Sequence, residues 1–345
     1  MNTAVKLLSL RLLVLMLVLL ISAYQASGAS VEDQAQFYKG KTITLAVSSG
    51  PGGPPDIFAR VIGPILQKEL NATVLVQNMT TGTAMEAVNY TYNKAKPDGL
   101  TLCTGVSEAW VLNDVLEDPG SRFKVDKLNW LGLFNPETFV YVRSAQKPYQ
   151  SAKDLQQAKG LKMGGVSGAG AITVKTALAC AILGLDAKVV AGFKGSADIA
   201  LSLQKGELDG CTFLESFARS AESKGQVKTL FYLYKKGTSY PNIPSLSEIV
   251  TMSDDYLKIL DVIGMESKCI VTSPGVPKER VDFLKKLLQK IADDIDNQKK
   301  FAQVLMLDKW LGYMPGDQYQ TFIADLKENQ SLISQLKTIM AKYKS

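Results

Sequence analysis

The feature that most limits how this chain can fold is a recurring unit: a short apolar run, a turn rich in glycine and proline, then a helical pattern. Thr42–Val47 (TITLAV) reads as a buried strand, and the cluster Gly50–Pro55 ends it. From about Asp56 to Leu70 the residues Ile57, Val61, Ile62, Ile65, Leu66 and Leu70 recur at helical spacing, with Pro64 inside the pattern as an expected kink. Strands that alternate with helices call for parallel pairing and crossover helices, because parallel neighbours cannot be joined by a tight turn.

The unit repeats. Strands are expected at Thr73–Val76, Leu100–Thr104, Phe139–Val142, Leu161–Val166, Ala187–Ala191, Gly210–Phe213, Val227–Leu233 and Lys268–Thr272. Helices are expected at about Thr83–Lys94, Ser151–Ala158, Ala171–Leu183, Ala197–Gln204, Lys278–Asp294, Asp296–Leu307 and Asp317–Tyr343. No internal sequence repeat, low-complexity tract or long linker interrupts the rhythm, and both halves share its texture. The fold class this predicts is α/β, in two similar lobes with mostly parallel sheets.

Three of the strands run into glycine loops that open helices: TITLAV-SSGPGGPP-DIFAR, KMGGV-SGAG-AITVK and VVAGF-KGSA-DIALS. Glycine lets backbone N–H groups approach a ligand closely, and a helix start adds unpaired N–H donors with a partial positive charge. Such a point holds a carboxylate or another anion without a charged side chain. In open α/β sheets these loops lie outside the carboxyl ends of the strands, where ligands gather. Neither phosphate fingerprint fits: Gly165–Gly170 (GVSGAG) is not G-x-G-x-x-G, and no G-x-x-x-x-G-K-[ST] occurs.

Composition removes several function classes. The 345 residues include no histidine, which excludes a Ser-His-Asp triad, a Cys-His pair and an HExxH zinc helix. No Asp, Glu and Cys cluster has metal-ligand spacing, so no metal and no cofactor is expected. The formal charge of +6 is spread without a basic run and reads as a solvated surface, not a nucleic-acid interface. Four cysteines at 103, 180, 211 and 269 stand apart among apolar or small neighbours; three disulfide connectivities are open to them, and buried free thiols are as well.

Lys6 and Arg11 precede the apolar run Leu12–Ile21, and small residues follow at Ser22, Ala23 and Ala26–Ala29. This is the layout of a secretory signal peptide over residues 1–29, cleaved after Ala29; a membrane anchor would want about 20 apolar residues.

The stretch Phe37–Leu102 carries Tyr38-Lys39-Gly40-Lys41 before a strand, the turn Pro51-Gly52-Gly53-x-x-Asp56 with Ala59-Arg60, then Gln77-Asn78 and Lys96-Pro97-Asp98-Gly99. Downstream, in order, come Phe193-Lys194-Gly195, Gly206-Glu207-Leu208-Asp209, Ile243-Pro244-Ser245 before Glu248, and Ser273-Pro274-Gly275-Val276-Pro277. The ordered set resembles the extracytoplasmic solute-binding proteins of tripartite tricarboxylate transporters, the Bug family, over most of the chain beyond residue 29.

The resemblance implies a periplasmic-binding-protein type II-like fold with two crossover segments and an interlobe ligand cleft. Lobe 1 would comprise 40–138 plus 262–345, and lobe 2 would comprise 139–261. It further implies a monomeric periplasmic protein, not an enzyme, that binds a small carboxylate by hinge closure and delivers it to two integral-membrane subunits. Carried over residue by residue, ligand contacts would come from Ser49, Gly52, Gly53, Asp56 and Asn78 on one side. Ser167, Gly168, Ala169, Gly170, Lys194, Gly195 and Ser196 would supply the other. After Asn78 the family's glycine-rich run is replaced by Met79–Ala84, so Thr81 and Thr83 would bring hydroxyls where relatives offer bare backbone. Phe213 stands where many members carry an acid, with Glu215 two positions on, which implies a more apolar acid rather than an amino acid.

Beside these stand plainer readings. Asp56 at a helix start is an N-cap as readily as a ligand contact, and Arg60 serves a salt bridge as readily as a carboxylate. Lys194 is either a ligand cation or a solvated loop residue. Trp110, Phe134, Phe139 and Tyr141 suit a core more often than a cleft wall. The alternatives in function are an exported hydrolase or lyase using Ser/Lys or paired acids, and a binding protein that feeds a sensor kinase.

Overall fold

The computed structural model describes residues 31–80, 85–166, 170–304 and 309–343, so the expected signal peptide and the positions Thr81, Thr83, Ser167, Gly168 and Ala169 lie outside the described residues. The first part of the chain runs α1 (Val31–Tyr38), β1 (Thr42–Val47), α2 (Pro54–Leu70), β2 (Thr73–Asn78), α3 (Glu86–Asn93), β3 (Thr101–Val106) and α4 (Ser107–Val115). A 16-residue strand, β4 (Asn129–Ser144), leads onward to α5 (Ala152–Gln157), β5 (Leu161–Val166), α6 (Ala171–Leu183), β6 (Ala187–Phe193), α7 (Ser196–Gln204), β7 (Gly210–Leu214), α8 (Glu215–Ser223) and β8 (Val227–Tyr232). After α9 (Leu246–Ile249) and α10 (Asp254–Ile263) the chain continues as β9 (Met265–Thr272), α11 (Lys278–Asp293), α12 (Ile295–Val304), β10 (Tyr313–Pro315), α13 (Gly316–Glu328) and α14 (Gln330–Tyr343).

The strand order is β2-β1-β3-β9-β4-β7-β5-β6, with β10 and β8 also paired to β4. β2, β1 and β3 are mutually parallel, as are β6, β5 and β7, and each triplet is bordered by an antiparallel strand, β9 on the first and β4 on the second. The two sets therefore have the same internal order. β4 belongs to both: Asn129–Thr138 pairs with β9 and Phe139–Ser144 with β7 and β8. One long strand thus carries the chain from the first set to the second, and β9 re-enters the first after α10.

The sequence explains these elements locally. Pro54 and Pro55 open α2 with φ already fixed, and Asn71, in the left-handed conformation (φ 47°), closes it. The helix runs continuously through Pro64, burying Phe58, Ala59, Ile62, Leu66 and Leu70. In α6 (AITVKTALACAIL) apolar residues surround the axis, so the helix is buried almost all round, with Lys175 its one charge. The segment expected as a single helix over 317–343 is two, because Asn329 interrupts it and its Oδ1 accepts from Leu332 N–H at 3.1 Å to cap the second.

Three apolar clusters fill the interior. Ile43, Leu45, Phe58, Ile62, Leu284 and Phe301 pack under the first set, and Val140, Ile199, Phe213 and Tyr232 under the second. The third runs through the middle, joining Trp110 and Trp130 to Phe139, Tyr141 and Leu178. Trp110, Phe134, Phe139 and Tyr141 are all core residues, and the four cysteines are buried and unpaired.

Candidate functional site

All three glycine loops lie beyond the carboxyl ends of parallel strands: β1 into α2, β5 into α6 and β6 into α7. The first is held by one carboxylate. Asp56 is the third residue of α2, after the N-cap Gly53, so it is not itself the cap. Its Oδ2 accepts from Gly52 N–H at 2.9 Å and from Arg60 Nε at 2.9 Å, while Oδ1 accepts from Asn78 Nδ2 at 2.8 Å and pairs with Arg60 Nη2 at 2.9 Å. Asn78, the last residue of β2, also donates to Ser49 O at 2.9 Å. Asn78 and Asp56 therefore tie β2, the loop and the start of α2 together. Burial by itself would raise the Asp56 pKa, but the hydrogen bonds from Arg60, Gly52 and Asn78 and the Arg60 charge outweigh it and hold the carboxyl below its usual range.

Two more N–H groups of this loop are committed. Gly53 N–H bonds Gly50 O at 3.1 Å, Asp56 N–H bonds Ser49 Oγ at 3.2 Å, and Pro54 and Pro55 have none to give. Ser49 Oγ accepts one bond there, which leaves its own proton available to an acceptor in the opening. Asp56 and Arg60 thus shape the loop, and Ser49 joins them as the acceptor for Asp56 N–H.

The two loops of the second set are built differently. α6 starts at the N-cap Gly170 and α7 at the N-cap Gly195, neither of which has a side-chain cap. Thr173 Oγ1 donates to Val166 O at 2.7 Å and fastens α6 to the end of β5. Asp198, the third residue of α7, accepts from Lys194 N–H at 3.3 Å, the same relation that Asp56 has to Gly52. Ser196 begins α7 and the Lys194 side chain is exposed. The first N–H groups of α6 and α7 therefore present a partial positive charge at the ends of β5 and β6.

Glu215 has another use. Its Oε1 accepts from Tyr232 O–H at 2.6 Å and from Ser239 N–H at 2.5 Å, so it anchors the segment after β8.

Sequence reasoning missed a buried group of charges where the two sets meet. Lys175 of α6 and Glu108 of α4 form an ion pair at 2.5 Å, with side chains 0% and 3% exposed. Near it, Lys268 lies 3.7 Å from Glu266 and 3.9 Å from Glu137. The signal was present in the lone lysine of an otherwise apolar helix. Among the described residues no group of three or more Cys, Asp or Glu side chains is placed to hold a metal ion, and no helix is long and apolar enough to cross a membrane.

No family model matches the chain, and no curated protein does so either. Solved structures match over almost their whole length. A TctC solute-binding protein from Polaromonas is 17% identical, with 88% of this chain and 99% of that one covered and a TM-score of 0.66. MatC from Rhodopseudomonas palustris, with bound malate, is 20% identical, with coverage of 87% and 98% and a TM-score of 0.65. A second R. palustris protein, with adipate, is 17% identical, with coverage of 86% and 97% and a TM-score of 0.69. The chain thus has the fold of the TctC and Bug periplasmic solute-binding proteins.

Proposed function

We propose that this protein is an exported solute-binding protein that captures a small organic carboxylate between two lobes and delivers it to membrane-embedded transporter subunits. The observation that carries this reading is the arrangement of the three glycine loops. Two uncapped helix N-termini stand at the ends of β5 and β6, and a carboxylate-braced loop with a donor hydroxyl stands at the end of β1. An anion placed there meets backbone N–H groups and hydroxyls rather than a lysine or arginine cage. Solved proteins of the same fold hold malate and adipate.

In this reading residues 40–138 and 262–345 form lobe 1 and 139–261 form lobe 2, and the chain crosses within β4 and again at the end of α10, just before β9. The last helix, α14, straddles the division, since Tyr343 O–H donates to Cys180 O on α6. The ligand stabilises the closed form through contacts to both lobes, and the closed form is what the membrane subunits recognise. The protein acts as a monomer in the periplasm after loss of residues 1–29, and it turns nothing over. Ser49 acts from lobe 1 with the hydroxyls of Thr81 and Thr83, and Asn78, its amide committed to Ser49 O and Asp56, holds the loop in shape. The loop 167–170 and Gly195-Ser196 act from lobe 2, and Lys194 is a peripheral cation. With Glu215 committed to Tyr232 and Ser239, no acid is left at that position to hold an amino group, which favours plain dicarboxylates over amino acids.

Calorimetry with C3 to C6 mono-, di- and tricarboxylates, sugars and inorganic anions tests the reading, alongside native mass spectrometry of protein purified without refolding. Micromolar or tighter binding of a carboxylate is expected. Binding of sugars or inorganic anions alone would sink it.

A further inference from the structure

The pair Glu108–Lys175 joins elements from different strand sets. Glu108 lies in the first turn of α4, which follows β3 and packs on β9. Lys175 lies in the second turn of α6, which packs on β5, β6 and β7. Both helices start at carboxyl ends of parallel strands, so both face the opening between the sets. The ammonium reaches Glu108 Oε1 at 2.5 Å and sits 3.6 Å from the centroid of the Phe139 ring. Phe139 marks the place where β4 leaves its pairing with β9 and begins its pairing with β7.

The surroundings make this contact more than a chance pairing. Glu137 and Glu266, directly opposite each other on β4 and β9, share Lys268 between them, and Glu137 also accepts from Ser216 N–H on α8 at 2.6 Å. Three acids and two lysines are thus buried together. The second oxygen of Glu108, Oε2, takes no bond from an N–H or hydroxyl among the described residues, and the Glu108 carboxylate is placed to accept from Glu266 when Glu266 is protonated. Withdrawing Lys175 would leave three buried carboxyls facing a single lysine. A charge removed from water is tolerated only while its partner is in place, and of these pairs it is Glu108–Lys175 whose partners come from different halves of the molecule.

We propose that Glu108 and Lys175 form an interlobe latch, with the Phe139 ring as its seat, so that neither charge can enter the closed form without the other. This rests on the hinge-closure reading above and assigns to that motion the two side chains that control it. The latch is a conditional one. Removing both charges together costs the closed form little, since a buried ion pair exchanged for apolar groups of similar volume is often neutral or better. Removing one charge opens the molecule.

The test reads the distance between lobes and needs no ligand. Spin labels at Leu75→Cys and Val190→Cys lie on the exposed edge strands β2 and β6, while the four native cysteines are buried and stay unlabelled. Double electron–electron resonance on the unliganded protein should show Lys175→Met and Glu108→Gln shifted to longer or broader distances, and the double variant Glu108→Leu/Lys175→Met returned to the original distribution. If all four proteins give the same distribution, the pair is only a static core contact and the proposal is overturned. Should a single variant lose its near-ultraviolet circular dichroism, Glu108→Asp keeps both charges and shortens the reach. An unchanged distance in that variant also overturns the latch, and a lengthened one supports it. Failure of the carboxylate reading would show separately, as a wild-type protein that binds no carboxylate while its interlobe distance still responds to Lys175.

Discussion

Asn78 Nδ2 donates to Asp56 Oδ1 at 2.8 Å, across 22 residues, and so fixes the end of an edge strand to the first turn of the helix that follows its neighbour. The other Asp56 oxygen holds Gly52 N–H and Arg60 Nε. One buried carboxylate thereby sets the geometry of a loop that has almost no side chains of its own.

Replacing it should be costly in proportion. Asp56→Ala leaves Gly52 N–H and Asn78 Nδ2 without their acceptor and Arg60 without its partner, and a loss of about 1–3 kcal/mol in unfolding free energy is expected. The sign with pH follows from the lowered carboxyl pKa. The wild-type contribution is present above the usual aspartate range and is lost as pH falls through the lowered value, so the two proteins should converge in acid. Urea titrations at neutral and acidic pH measure this; an equal difference at both would contradict it.

Gly52 adopts φ +80°, in the left-handed region, and a Cβ there would meet no atom within 4 Å. Gly52→Ala therefore tests backbone strain without a clash. A cost of about 1–2 kcal/mol is expected, together with weaker binding of the carboxylate found by calorimetry. Gly50, without a left-handed φ and equally open, is the control, and Gly50→Ala should change neither quantity.

How much of this was legible beforehand differs between fold and site. β1, β5 and α6 have the expected bounds, because an apolar run followed by glycine marks its own end. β4 was read only over its last third: Gly132 and Asn135-Pro136 look like a break, yet the strand passes them with a register shift and Asn135 in a positive-φ conformation (49°). The helices α1, α4, α8, α9 and α10 were not expected; each spans ten residues or fewer, too few turns for a helical period to stand out. Asp56 was recognised as a candidate, but of its three partner residues only Gly52 and Arg60 are near in sequence; Asn78 is brought to it by the β1–β2 pairing. The Glu108–Lys175 pair was invisible for the same reason: the partners are 67 residues apart and meet only after the chain has crossed from one set to the other.

The cysteines give a direct check on the core. Burial pushes the thiols of Cys103 and Cys180 up to about 12 and raises those of Cys211 and Cys269 as well, so none is a thiolate at neutral pH. Native protein should react with no equivalent of Ellman's reagent at pH 8, and unfolded protein with four, without prior reduction. Fewer than four in denaturant would mean that a disulfide exists.

The missing histidine makes one titration unusually easy to isolate. Glu266 is raised to about 7, first by burial and then by the charge of Glu108, against the pull of Lys268 and Lys175. In the unfolded chain it returns to the ordinary glutamate value, so between that value and about 7 the native state holds the extra proton. Stability from this group is therefore full below the unfolded pKa and declines as pH rises through about 7. Glu137, raised by burial against the Lys268 charge and the Ser216 hydrogen bond, adds to the same trend. No imidazole titrates in the window to mask it. Urea unfolding from pH 5.5 to 8.5 should show wild-type stability falling with rising pH. Glu266→Gln should flatten the curve and match or exceed the wild type at its alkaline end. A wild-type curve that is level or rises across this range would show that Glu266 is ionised throughout.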